Sequence, residues 1–92
     1  MDAAGLITFP FGRRSSVGSY AKTNFNDITE SGMYDIVIEG EGSINAPSDI
    51  AYGLLLVFRR DNMVVQMAIS VNNNAQLLRG RIGGNWQNWR AI

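Results

Sequence analysis

Hydrophobic positions along the chain fall into short runs, most with a period of two. Residues 52–58 hold Tyr52, Leu54, Leu55, Leu56, Val57 and Phe58, a near-continuous apolar run that reads as a strand covered on both faces. In residues 64–71, Val65, Met67, Ile69 and Val71 alternate with Val64, Gln66, Ala68 and Ser70, the mark of a strand with one buried face. The short polar stretch Arg59-Arg60-Asp61-Asn62-Met63 separates them, so an antiparallel hairpin is the simplest connection and the spine of the predicted fold. Upstream, Tyr34, Ile36 and Ile38 alternate with Asp35, Val37 and Glu39 in a half-buried strand. Downstream, residues 75–82 place Leu78 and Ile82 on one side and Leu77, Arg79 and Arg81 on the other, and Gly80 marks a bulge or a close backbone approach.

Turn chemistry punctuates these runs. Asn72-Asn73-Asn74 and Gly83-Gly84-Asn85 are turns, because asparagine and glycine tolerate positive φ. Gly40-Glu41-Gly42-Ser43 and Asn45-Ala46-Pro47-Ser48-Asp49 make a longer loop of the kind on which binding residues concentrate. Residues 24–30, with Phe25 and Ile28 as anchors, fit one helical turn or an irregular bend that Asp27 or Thr29 can cap. Near the start, Leu6, Ile7, Phe9 and Phe11 surround Pro10, which confines residues 5–11 to an edge strand or strap. Residues 13–22 are rich in serine and glycine and read as an exposed loop or linker. The predicted class is all-β: a small antiparallel meander or sandwich-like knob over residues 23–92, preceded by a strap or linker over residues 1–22, with one short irregular or helical segment at 24–30.

Composition narrows the picture. A domain of 92 residues buries about two thirds of the surface that its unfolded chain exposes, so the core is thin. With no cysteine and no histidine, neither a disulfide nor the commonest transition-metal site is expected to supplement it, which leaves oligomerisation. Eight basic and eight acidic residues balance, which argues against nucleic-acid binding and against a polybasic membrane module. The halves differ, however: residues 1–50 carry three basic and seven acidic groups, and residues 51–92 carry five and one. Scattered solvated charge accounts for this, or else oppositely charged faces meet between subunits. No apolar run approaches the roughly 20 residues of a membrane span, so membrane insertion is not expected. Met1-Asp2-Ala3-Ala4 lacks the charged head and long apolar centre of a secretory signal.

Catalytic chemistry is poorly supplied. Without histidine or cysteine, only carboxylate, tyrosine or lysine chemistry is open, and Lys22, the single lysine, lies in the linker. Glu39 and Glu41 are spaced to share a strand face, but Gly40 and Gly42 make that stretch a solvated turn. No catalytic residue, metal ligand or cofactor motif is assigned, and the protein is expected not to be an enzyme. Aromatic and amide side chains offer the better candidates. Tyr52, Trp86, Trp89 and Tyr34 can stack on a sugar ring, and Asn73, Asn74, Arg79 and Arg81 can hydrogen-bond hydroxyls or acidic sugars. The plainer alternative makes Trp86 and Trp89 part of the core or of a subunit interface, and Arg79 and Arg81 a solvated or subunit-bridging face.

The ordered set Tyr52-Gly53-Leu54-Leu55-Leu56-Val57, Val64-Val65-Gln66-Met67, Arg79-x-Arg81 and Trp86-x-x-Trp89-Arg90 resembles the knob domain of bacteriophage and pyocin tail fibres. Asn26-Asp27-Ile28, Gly32-Met33-Tyr34 and Asn45-Ala46-Pro47-Ser48 look like the same family's opening, so the resemblance runs from Phe25 to Ile92. It implies a virion protein made in the cytoplasm of a bacterial host: a fibre module, usually a homotrimer, partnered by other fibre or tail subunits. Such modules contact cell-surface polysaccharide or support that contact. Tyr34, Tyr52, Gln66, Arg79, Arg81, Trp86 and Trp89 fall on the family's pattern positions, and residues 1–22 would then be a shaft attachment. Tyr52, Asn73, Arg79, Arg81, Trp86 and Trp89 are the candidate ligand-binding residues. The competing expectation is a purely structural virion part, such as a cap, collar, decoration or trimerisation element.

Overall fold

A computed structural model of the chain describes residues 16–17, 23–38 and 43–92. Its strands are β1 (Ser16–Val17), β2 (Gly32–Val37), β3 (Tyr52–Arg60), β4 (Met63–Ser70), β5 (Gln76–Ile82), β6 (Asn85–Trp86) and β7 (Arg90–Ala91). They form one sheet in the order β1-β2-β3-β4-β5-β6, with β7 also on β5. All pairings are antiparallel except β1 with β2, which is parallel. The all-β meander expected from the sequence is therefore the observed architecture.

The hairpin of β3 and β4 forms where the hydrophobic pattern puts it. Leu56 faces Met67, Phe58 faces Val65 and Arg60 faces Met63 across a two-residue turn, in which Asp61 takes a φ of 54°. At the next tight turn Gly83 and Gly84 both have positive φ, 59° and 87°, as the favoured two-residue hairpin connection requires. Gly53 is the glycine that packing demands: a Cβ there would run into the backbone carbonyl of Ile69 on the neighbouring strand.

One face of the sheet is covered. Tyr34, Ile36, Leu55, Val57, Val64 and Ala68 are buried on it, beneath Phe25, Ile28 and Ile50 from two irregular segments that cross over. Those segments hold each other: Asn24 bridges Ile44 in parallel, Phe25 N–H donates to the Ile44 carbonyl (2.9 Å), and Ile44 N–H donates to the Thr23 carbonyl (2.7 Å). The helical turn is a 3-10 helix, Phe25–Asp27, capped by Asn24, whose Oδ1 accepts from Asn26 N–H (3.0 Å). Asp27 and Thr29, the residues proposed as caps, do not perform that role, because the turn begins one residue before Phe25.

Several other expectations change. The buried face of β4 is the less apolar one, carrying Val64, Gln66 and Ala68, while Val65 and Met63 are exposed. Strand β3 is not covered on both faces among the described residues: Leu54 and Leu56 are half-buried and Phe58 is exposed. Ser16 and Val17 were expected in a loop, yet they form the parallel edge strand. The register at Gly80 is continuous from Val65, so the glycine does not form a bulge in β5; it admits the Gln87 side chain, whose Oε1 would lie 3.3 Å from an added Cβ. The expected strap at residues 5–11 and the acidic pair Glu39 and Glu41 lie outside the described residues.

Because the obstacle at Gly53 is backbone and not a movable side chain, Gly53→Ala is expected to lower stability by about 1–3 kcal/mol, the usual range for overpacking. Urea unfolding followed by circular dichroism measures it, and an unchanged midpoint would refute the close approach.

Candidate functional site

The buried face of the sheet is not wholly apolar. Gln66 and Arg79 pair directly across β4 and β5, and both are buried, at 0% and 3% exposure. Gln66 Nε2 donates to the carbonyls of Phe25 (2.7 Å) and Ile28 (2.8 Å), and its Oε1 accepts from Arg79 Nε (2.8 Å). One amide therefore satisfies the open end of the 3-10 helix above it and orients the guanidinium beside it. The Arg79 guanidinium lies 4.0 Å from the ring centre of Trp86 and 4.7 Å from that of Trp89. Contacts of this kind contribute roughly 0.5–2 kcal/mol each, more when desolvated.

A register shift at the sheet edge explains how two tryptophans three residues apart reach the same arginine. In an unbroken strand such residues point to opposite faces. Here Arg81 faces Trp86, but Leu78 faces Arg90, so one extra residue is taken up between β6 and β7. That insertion turns Trp89 onto the side already occupied by Trp86. Trp89 Nε1 then donates to the carbonyl of Asn45 (2.9 Å), a residue with a φ of 58° in the crossing loop. Asn45 Nδ2 in turn donates to Asn24 Oδ1 (3.0 Å), which links the tryptophan edge to the helix cap.

Burial pushes the pKa of the Arg79 guanidinium down to about 10, through loss of hydration, so it stays charged at neutral pH. Among the described residues its Nη2 is buried without a hydrogen-bond partner, as are Asn26 Oδ1 and Arg81 Nε. Among the described residues, the ion pair found joins Arg59 to Glu30 (2.8 Å), on the exposed surface and away from Arg79. No group of acidic residues able to hold a metal occurs among the described residues.

Two cavities flank the crossing loop. One, about 390 Å³, is lined by Asn26, Asn45, Arg79, Asn85, Trp86, Gln87, Asn88 and Trp89. The other, about 770 Å³, lies at the opposite end of that loop and takes in Tyr52 and Asn73, with Asn45 common to both. The structure thus brings Arg79, Trp86 and Trp89 together and separates them from Tyr52 and Asn73. Asn73 is already engaged, since its Nδ2 donates to the Asp49 carbonyl (3.1 Å) and its Oδ1 accepts from Ala75 N–H (2.8 Å). Arg81 stacks more loosely on Trp86, at 5.8 Å, and borders a shallow apolar groove with Met63 and Ile82. Arg79 is buried and does not form the solvated or bridging face that was the alternative expectation. Asn26, Asn45 and Asn88 were not candidates from the sequence; only the crossing of the two loops over the sheet brings them to Arg79.

The geometry defines a tail-fibre-like fold, a single twisted sheet closed on one side by crossing loops. A solved structure that shares it is an N-truncated R2-type pyocin tail fibre, with a TM-score of 0.69 and 19% sequence identity. The likeness covers 85% of this chain and 31% of that chain, so the present sequence corresponds to under a third of the fibre structure. No family model matches the sequence, and no curated protein matches it.

Replacing Gln66 by Leu keeps the volume roughly constant but strips the partners from the Ile28 carbonyl and from Arg79 Nε, and one of two from the Phe25 carbonyl. At about 1–3 kcal/mol for each buried group left unsatisfied, Gln66→Leu is expected to lose ~3 kcal/mol or more in chemical denaturation. A loss under about 1 kcal/mol would show that the amide is not the tie between the layers.

Proposed function

We propose that the chain is a non-enzymatic module of a phage-like or pyocin-like fibre, assembled as a homotrimer with other fibre or tail subunits and helping to attach the particle to polysaccharide on the host surface. The observation that carries this reading is the tail-fibre-like fold combined with an apolar outer sheet face. Leu54, Leu56, Val65, Met67, Ile69, Leu78 and Ile82 lie on that face, with Met63, Val65 and Ile82 exposed by 50%, 37% and 62%. A thin sheet with an apolar side that the described residues leave uncovered is stabilised by burying it against copies of itself, and three copies on one axis convert weak single contacts into avidity. The localisation that follows is the virion.

A second reading, a purely structural virion part, is favoured by one observation: Trp86 and Trp89 already turn their rings to Arg79, and the Trp89 N–H is already bonded. On that reading the tryptophans serve folding and not recognition.

Native mass spectrometry of the purified protein is expected to show a trimer, and Val65→Glu to reduce it to monomers with an unchanged circular dichroism spectrum. On an array of bacterial surface polysaccharides the trimer should be retained by a subset, and the monomeric variant by none, because avidity is lost. A monomeric wild type, or a mass that Val65→Glu leaves alone, would remove the outer-face assembly. A trimer that no polysaccharide retains would leave the structural reading in its place.

A further inference from the structure

We infer that the cavity floored by Arg79 is a binding site for a carboxylate-bearing sugar, with the carboxylate taken by the guanidinium and the ring hydroxyls by the surrounding amides. This deepens the attachment reading and rests on it for its biological setting, but the site stands on its own geometry.

A charged side chain at 3% exposure normally has an anionic partner, because taking an isolated cation out of water is expensive. Arg79 has two indoles within 4.7 Å of its guanidinium and one neutral amide at Nε, and among the described residues its Nη2 has no partner. The stacking indoles stabilise the cation without neutralising it.

The rest of the lining suits a sugar. Asn26 Oδ1 is a second buried polar atom without a partner, and as an acceptor it complements a hydroxyl donor. Asn45, Asn85, Gln87 and Asn88 supply further amides at the rim, while among the described residues no acidic side chain lines the cavity to repel an anion. At about 390 Å³ it falls within the range of small-molecule sites. The larger cavity beside Tyr52 includes Asp49 and no cationic side chain, so acid recognition belongs to the Arg79 side of the loop.

The test is a titration of the full chain, read by tryptophan fluorescence and by calorimetry, with methyl glucuronide, methyl glucoside and inorganic phosphate as probes. Methyl glucuronide is expected to saturate with a dissociation constant on the order of 1 mM at low salt, and to weaken as salt is raised. Methyl glucoside should give no saturation in the same range. Asn88 is exposed at the rim, so Asn88→Asp should fold normally and weaken glucuronide binding roughly fivefold by placing a like charge near the ligand. Asn88→Gln, which adds no charge, should bind as the wild type does. Equal binding of glucoside and glucuronide would overturn the assignment, as would phosphate binding as tightly as glucuronide or an Asn88→Asp variant that binds normally. A blank glucuronide titration beside retention on neutral polysaccharides rejects this site and leaves attachment standing. Glucuronide binding beside a blank polysaccharide array supports the site and rejects attachment.

Discussion

The fold depends on one buried amide. Gln66 sits at zero exposure in the middle of β4, where a hydrophobic residue would pack at least as well by area alone. Its presence is explained by the layer above. A 3-10 helix of three residues satisfies little internally: Ile28 N–H reaches the Phe25 carbonyl (3.3 Å), but the Ile28 carbonyl lies past the last helical bond, and burying it against the sheet is tolerable only if the sheet offers a donor. Gln66 Nε2 supplies it and bonds the Phe25 carbonyl as well, and the remaining oxygen can then accept only from the next strand, which fixes Arg79. A network in which each atom of the amide is used specifies the seating of the loop far more sharply than apolar contact would.

From that node the sheet edge follows. Once Arg79 lies on the covered face, its charge needs surroundings that tolerate it, and the inserted residue between β6 and β7 brings two indoles to the same side. The insertion also frees Trp89 to reach the Asn45 carbonyl, so the crossing loop is tied at one end by the helix cap and at the other by the indole. Asn45 can hold both positions because it tolerates its left-handed backbone conformation. Helix cap, loop and closing strand are therefore one connected polar structure laid over an apolar floor.

Much of this was legible in the sequence and some of it could not be. The strands announced themselves because alternation with period two places every second side chain on one face, as a pleated strand does and a helix does not, and the turns at Asp61-Asn62 and Gly83-Gly84 carried their own chemistry. Facing was harder. Strand β4 has two apolar sides, Val65-Met67-Ile69 and Val64-Ala68, and hydrophobicity alone favours the first, whereas the loops cover the second because only Gln66 can bond them. The candidate residues Arg79, Trp86 and Trp89 were named from residue type and do meet, yet the burial of Arg79 was not foreseeable, since an arginine two residues from a second arginine in a strand looks solvated. Tyr52 and Asn73 were grouped with them only by chemistry; the topology places them at a different cavity. Asn26 and Asn45 were legible only as parts of a bend and a loop, because their place beside Arg79 arises from a contact between segments about twenty residues apart.

The two faces of the sheet also answer to different physical demands, and the separation has consequences. The outer face is largely apolar over β3, β4 and β5, with Asp35 and Gln76 at its margins, so covering its centre carries little desolvation penalty. The loop-covered side carries the unsatisfied atoms found among the described residues, Arg79 Nη2, Arg81 Nε and Asn26 Oδ1, and borders both larger cavities. Had these been placed on the outer face, self-association would have buried a lone cation in an apolar interface, which costs several kcal/mol. Keeping them on the loop-covered side leaves the apolar residues of the outer face clear of an isolated buried charge.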